Sequence, residues 1–400
     1  MRVSSWFGLS LATLGACADP SSSPLALTDP DLAVLAIAGT QQTIAWTPGA
    51  SSGAVDLLLI GADGSERTVA AAVPDTGQLT FTVPLLGAGG FHVRIQDAAG
   101  GPEAGEGWLL TAAALAGFTW NSATEEEEYS WIDATTGSAM VLGIAGDLRW
   151  WSWKGGATFD PTLGRVYAAG NDASEIDKVY TLDAADGSLI ATATLSGPRP
   201  NGLLVNGAGT LLGFENSPTE LRVITIDPAT GALSTLATIP GTFGGWSVEH
   251  AIDRAADRIY HLEYAGAATD PPELSVFTLD ATTGALLGSA PITLGAAAVS
   301  QLGGVKLDNL GRLIGLRWDG TVEEMLAVDP ATGVATSLGT VGDLQSWQEQ
   351  TAYDPSTDRL LVFGNDAAEQ PTLYAMDVAT GALLYDVAVP QLPAATMLVY

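Results

Sequence analysis

Three short stretches carry the side chains best suited to hold a ligand. Trp150-Trp151-Ser152-Trp153-Lys154, Trp246-Ser247-Val248-Glu249-His250 and Trp347-Gln348-Glu349-Gln350 each set indoles beside polar or charged groups. Indole faces stack on sugar rings and attract cations, and a nearby carboxylate suits a cationic or polyhydroxyl ligand. Trp153, Trp246, Glu249, His250, Trp347 and Glu349 are the candidate ligand-binding residues. The same indoles equally suit wedging between sheets as core, and the sequence leaves that alternative open.

The residues available for catalysis are few. The chain has three histidines, His92, His250 and His261. Only His250 falls in one of the three stretches; His261 lies inside a strand pattern and reads as structural. Glu249 precedes His250 directly, and neighbours on a strand point to opposite faces, so the two are no ready-made acid–base pair. The chain has one cysteine, Cys17, near the N-terminus. No catalytic or metal-ligating set is assigned. Acidic loops recur at Glu125-Glu126-Glu127-Glu128, Asp172 with Glu175, Glu215 with Glu220, Asp270 with Glu273, Asp319 with Glu323 and Glu324, and Asp366 with Glu369. Calcium takes about 6–8 oxygen ligands and is the cofactor such loops would suit, although their spacing matches no calcium loop and the bland expectation is solvated charge.

Charge narrows the partners. With 15 Lys and Arg against 45 Asp and Glu the formal charge is -30. Such a field repels phosphate backbones and anionic membrane surfaces, so nucleic acid is excluded as a partner.

The elements that would position these residues are strands. A turn of the form Asp-x-x-x-Gly begins at Asp133, Asp183, Asp227, Asp280, Asp329 and Asp377, at intervals of roughly 50 residues. The aspartate carboxylate accepts backbone N–H groups within such a turn, and the glycine supplies a positive φ. Repeats of this length with several strands each predict a β-propeller. Residues 116–400 divide into six units of four strands, A to D, with A strands ending at Asp160, Asn206, Asp253, Asp308 and Asp354. The first unit lacks an A strand, and the last residues, Ala394-Ala395-Thr396-Met397-Leu398-Val399-Tyr400, are left over. Pairing that tail beside Gly117-Phe118-Thr119-Trp120 would close a six-bladed ring. The repeated turns then fall on the face away from the Trp-bearing D–A connections. The hairpin Leu373-Tyr374-Ala375-Met376-Asp377-Val378-Ala379-Thr380-Gly381 resembles those of the quinoprotein-like and YVTN-type β-propeller superfamily. That resemblance implies architecture; quinoprotein dehydrogenases usually have eight blades, so six argue against a quinone.

Residues 31–115 show short alternating strands that predict a β-sandwich. Trp46, the Val55–Leu59 strand, Asp75-Thr76-Gly77, the Phe81–Pro84 strand and the Phe91–Ile95 strand resemble an Ig-like module. Such modules occur in fungal cell-wall glucan-assembly and Ser/Thr-rich GPI-anchored proteins, and the resemblance implies a surface stalk. Ahead of this, Met1-Arg2-Val3 and the apolar run from Trp6 to Ala16 have a signal-peptide pattern. Leu14-Gly15-Ala16-Cys17 resembles the bacterial lipobox, which implies cleavage after Ala16 and lipidation of Cys17. Ala18 in place of Asp implies outer-membrane sorting, and residues 17–30 have the composition of a tether. The expectation is a cell-envelope lipoprotein, held to the membrane by its lipid alone, whose propeller is a non-catalytic binding or scaffold module for a surface protein or carbohydrate. The alternative is an extracytoplasmic hydrolase or lyase with a site around His250.

Overall fold

The computed structural model describes residues 26–399 except for 30–33, 38–40, 50–51, 62–65, 83–88, 101–102, 113, 133, 135–136, 138, 150–155, 185–186, 242, 244–248, 265–272, 345, 356, 392 and 394. The signal segment, Cys17 and most of the tether lie outside the described residues. All described regular elements are strands. They fall into two compact units.

The N-terminal unit holds two sheets. One pairs Ala26–Asp29, Gln41–Thr47 and Gln78–Thr82; the other orders Val34–Ile37, Glu103–Ala112, Gly89–Asp97, Ala54–Gly61 and Glu66–Pro74. Alternation buries Ile44, Trp46 and Phe81 from the first sheet and Val55, Leu57, Leu59, Val93 and Ile95 from the second. The Asp75 turn is bound to this core: its Oδ1 accepts the Trp46 indole N–H at 2.6 Å, Oδ2 accepts Gly49 N–H at 2.8 Å, and Gly77 O accepts Trp46 N–H at 2.8 Å. Trp46 and Asp75 thus form one device, a buried donor and the carboxylate that satisfies it.

Among the described residues the second unit holds six sheets of mainly antiparallel strands. The first combines Ala395–Val399, Ala114–Asn121, Glu126–Ile132 and Ala139–Ile144, with Ala395 opposite Phe118 and Val399 opposite Ala114. Next come Gly156–Asp160, Arg165–Asn171, Asp177–Asp183 and Leu189–Thr194, then Leu203–Val205, Leu211–Ser217, Glu220–Ile226 and Leu233–Pro240. The fourth is Glu249–Asp253, Arg258–Tyr264, Leu274–Asp280 and Leu286–Pro291. The fifth, Gly303–Leu307, Leu313–Trp318, Glu323–Val328 and Val334–Thr340, gains a small hairpin of Thr293–Leu294 and Ala297–Ala298, whose first strand runs parallel to the outer one. The sixth is Ser346–Asp354, Arg359–Asn365, Pro371–Asp377 and Leu383–Ala388. The leading strand of each sheet lies against that of the next, and Ala395–Val399 lies against both Ser346–Asp354 and Gly156–Asp160.

The repeated turns form as their chemistry requires. Asp227 Oδ1 accepts Ala229 N–H at 2.9 Å, and its Oδ2 accepts the Thr230 hydroxyl at 2.7 Å. Asp280 and Asp377 are bound alike through Thr283 and Thr380, and in all three these hydrogen bonds hold the carboxyl below its ordinary pKa. The closing glycines Gly137, Gly187, Gly231, Gly284, Gly333 and Gly381 have φ between 69° and 72°. Each also meets the outer strand of the preceding sheet: a Cβ would overlap Ala388 at Gly137, Gly143 at Gly187, Thr194 at Gly231, Ala237 at Gly284, Pro291 at Gly333 and Leu338 at Gly381. The tyrosine of the Leu-Tyr-x-x-Asp pattern ties sheets as well. Tyr180 donates its hydroxyl to Asp147 and Tyr374 to Asp343, both at 3.0 Å, onto the loop that leaves the preceding sheet.

Two stability outcomes follow from these contacts. Asp75→Ala, by orphaning a buried indole N–H, is expected to cost the N-terminal unit about 1–3 kcal/mol in a urea melt. Gly231→Ala carries a left-handed backbone term of about 1–2 kcal/mol plus a clash with the Thr194 carbonyl. Gly164→Ala, at a φ of 61° with nothing within 4 Å of the added Cβ, carries the backbone term alone and should lower the midpoint less.

Candidate functional site

The polar centre of the second unit is built on the fourth sheet. Antiparallel pairing sets His250, on the leading strand, directly opposite His261 on the second. Alternation turns Glu249 the other way: its Oε2 accepts Val305 N–H at 3.1 Å from the fifth sheet, whereas His250 reaches Asn201 O, just ahead of the third, at 3.1 Å. The two neighbours therefore serve different sheets, as period-two alternation requires.

The tautomers follow from the partners. A backbone carbonyl only accepts, so His250 Nε2 carries the hydrogen that Asn201 O receives. In the neutral ring Nδ1 is then a bare lone pair. His261 Nδ1 lies 3.1 Å from it and must donate. His261 Nε2 is left bare, 3.9 Å from Glu263 Oε2, with both side chains fully buried. Phe214 of the third sheet lies on this pair, 4.1 Å from His250 at 14° and 5.3 Å from His261. Gly202, at a φ of 74°, allows the close approach, since a Cβ there would strike the His250 ring. Burial pushes the His250 pKa down to about 3, with the Asn201 carbonyl opposing and the Lys306 charge adding to the fall. Burial also holds His261 well below its ordinary value, with His250 second.

Glu263 is held from two sides. Tyr264 N–H donates to its Oε1 at 3.1 Å, and Asn216 Nδ2 donates to its Oε2. Lys306, on the leading strand of the fifth sheet, is a desolvated amine: burial lowers its pKa, Glu249 opposes the fall, and Nζ donates to Val305 O at 3.2 Å. At the far end of the His250 strand, Arg254 reaches Val205 O at 3.0 Å and Phe159 O at 2.5 Å, tying three sheets together.

Of the six residues singled out from the sequence, Glu249 and His250 belong to this centre. Trp153 and Trp246 lie outside the described residues. Trp347 and Glu349 lie on Ser346–Asp354, where Trp347 pairs with Gly364 and the register shifts before Thr351; their side chains lie outside the described ones. Phe214, Asn216, Glu263 and Lys306 were not anticipated. His261-Leu262-Glu263 did carry a signal, because residues two apart on a strand share a face.

The acidic loops spend much of their charge locally. Asp172 Oδ1 accepts Ser174 and Ile176 N–H, Asp366 Oδ1 accepts Ala368 and Gln370 N–H, and Asp319 Oδ1 accepts Thr321 and Val322 N–H. Arg222 pairs with Glu215 at 2.8 Å and Glu220 at 3.0 Å, and Arg317 with Glu324 at 2.8 Å. Asp270 lies outside the described residues. Among the described residues no three of His, Cys, Asp and Glu gather as a metal-binding group.

The buried histidines fix a pH response. Their folded pKa values lie below the unfolded value near 6.5, so the unfolded chain binds more protons in acid. Stability is therefore full above about pH 6.5 and falls as pH drops toward the His250 folded value of about 3, at up to about 1.4 kcal/mol per pH unit for that ring, with His261 adding a fall in the same direction. Urea midpoints measured from pH 7 to pH 4 should fall less steeply for His250→Gln than for the wild-type chain.

No family model matches the sequence, and no curated protein does. Among solved structures, TolB from Acinetobacter baumannii is similar over 78% of this chain and 80% of its own, at 12% identity and a TM-score of 0.52. A periplasmic gluconolactonase from Pseudomonas aeruginosa aligns with 72% of this chain and 99% of its own, at 16% identity and a TM-score of 0.44. A quinoprotein alcohol dehydrogenase-like protein from Bacteroides thetaiotaomicron aligns with 92% and 97%, at 9% identity and a TM-score of 0.36. At such identities the likeness concerns fold alone, and the fold is all-β and of the β-propeller kind.

Proposed function

We propose that this chain is an extracytoplasmic lipoprotein in which an Ig-like sandwich carries a six-bladed propeller acting as a non-catalytic binding or scaffold module. The closed ring is supported by the pairing of Ala395–Val399 with Ala114–Asn121 and by the approach of Gly137 to Ala388, the same kind of contact that Gly187, Gly231, Gly284, Gly333 and Gly381 make with their preceding sheets. The sandwich is supported by two sheets whose inward residues are buried. The envelope location is supported by the lipobox-like Leu14-Gly15-Ala16-Cys17.

One observation carries the non-catalytic reading: both ring nitrogens of His250 are engaged, one by Asn201 O and one by His261, with Phe214 on its face. A base so committed serves packing rather than proton transfer. In this reading His250 and Glu249 hold adjoining sheets in place, and the three Trp-bearing connections, with Trp153, Trp246, Trp347 and Glu349, form the lip that meets a surface protein or carbohydrate.

Two measurements test this. The wild-type chain should fractionate with membranes, and Cys17→Ser should release it; release of neither or of both overturns the anchor. On a glycan array and in pull-downs from cell-surface extracts, Trp347→Ala should weaken binding at least tenfold while the melting temperature moves little. Turnover of any glycoside, ester or lactone that is lost in His250→Ala would replace the binding reading with an enzymatic one.

A further inference from the structure

The first sheet departs from the other five at one packing position. Three residues before the turn aspartate, the third strand of each other sheet buries a large side chain against the sheet that precedes it: Tyr180, Ile224, Phe277, Leu326 and Tyr374. In the first sheet that position, opposite Gly117 and Val141, is Ser130. Ala139 likewise stands where Leu189 and Leu383 follow the turns of the second and sixth sheets. The facing loops are equivalent too: Ala145, Val341 and Val389 donate their N–H groups to Glu127 O, Glu323 O and Pro371 O, each six residues before a turn aspartate. Two residues further on, Asp147 accepts the Tyr180 hydroxyl and Asp343 that of Tyr374, whereas the loop facing Ser130 has Gln391. A cavity of about 200 Å³ remains beside Ile132, Val141, Val389 and Pro390, with Ser130 and Glu128 among its polar groups. Ser130 is 1% exposed, and among the described residues its Oγ has no hydrogen-bond partner. A buried hydroxyl left unpaired is costly, and close-packed interiors keep few voids of this size.

We propose that this cavity binds a small uncharged phenol, its hydroxyl on Ser130 Oγ and its ring where the second and sixth sheets hold Tyr180 and Tyr374. The size fits, since an apolar cavity of about 150 Å³ is enough for benzene. The lining fits as well, because small-molecule sites are mostly apolar with a few polar groups that fix orientation. Ser130 Oγ both donates and accepts, so a phenol hydroxyl satisfies it in either sense. The Glu128 carboxylate, whose Oε1 accepts the Asn121 amide N–H at 2.6 Å, disfavours a carboxylated ring, as does the formal charge of -30. Val141, Pro390 and Gln391 are exposed and form the mouth. Among the described residues none of the three Trp-bearing stretches lines this cavity, so it is distinct from the lip proposed above.

The test titrates the full chain, carrying Cys17→Ser, with p-cresol and follows the methyl groups of Val141 and Val389 by NMR. The p-cresol ring should show intermolecular NOEs to both residues and bind about fivefold more tightly than toluene or 4-hydroxybenzoate. Ser130→Ala keeps the space and removes the hydrogen bond, so it should weaken p-cresol about fivefold and leave toluene unchanged. Ser130→Tyr, which restores the ring of the second and sixth sheets, should abolish the NOEs with the strand signature in circular dichroism preserved. Should that variant fail to fold, the NOEs and Ser130→Ala still decide. A chain that gives no NOE from p-cresol to Val141 or Val389 overturns the proposal, and a buried water is then the partner of Ser130. So does equal affinity for p-cresol with and without the Ser130 hydroxyl, or binding that survives in a folded Ser130→Tyr chain.

Discussion

Gly137, Gly187, Gly231, Gly284, Gly333 and Gly381 each sit where the outer strand of the preceding sheet leaves no space for a side chain. This close approach of backbone to backbone sets the spacing between sheets, and the remaining packing is built to it. It also explains why the aspartate turns are so uniform. The carboxylate supplies hydrogen bonds that the loop would otherwise take from water, and the glycine brings the turn flush against its neighbour. Where the first turn would lack a predecessor, the sixth sheet provides one, and the terminal strand completes the first sheet. That pairing covers the edge that Ala114–Asn121 would otherwise present to other molecules.

Between these contacts the sheets are joined mostly by hydrocarbon. Leu212, Phe214, Val223, Ile259, Phe277 and Leu279 fill the space between the third and fourth sheets. The histidine pair interrupts this apolar wall. Buried polar groups persist where they are hydrogen-bonded, and the run from Asn201 O through both rings satisfies three of the four imidazole nitrogens. Glu249 and Lys306 do related work one sheet further on, where a carboxylate receives a backbone N–H and a desolvated amine finds a backbone carbonyl.

Much of this architecture was legible in the sequence because turn chemistry is local. Asp227, Asp280, Asp329 and Asp377 with their glycines announce themselves within five residues, and strand alternation told Glu249 and His250 apart. The polar centre was far less legible. Asn216 and Glu263 meet across 47 residues of chain, and Phe214 covers His250 only because the third sheet stacks on the fourth. Nothing within a single repeat encodes that stacking. His261 read as structural on its own, and its significance depends on the strand opposite. The small hairpin ahead of the fifth sheet was also missed, since Thr293-Leu294 and Ala297-Ala298 are too short to show a period.

That hairpin gives the repeats an asymmetry. Thr293–Leu294 occupies the hydrogen-bonding margin of Val334–Thr340 with a parallel rung drawn from the linker itself. A visiting peptide seeking to extend the fifth sheet would find its berth already taken near Val334 and Ala335. The tolerance of the periphery for added strands is thus unequal around the molecule, and evolution or engineering that grafts an extra segment there must begin from another sheet.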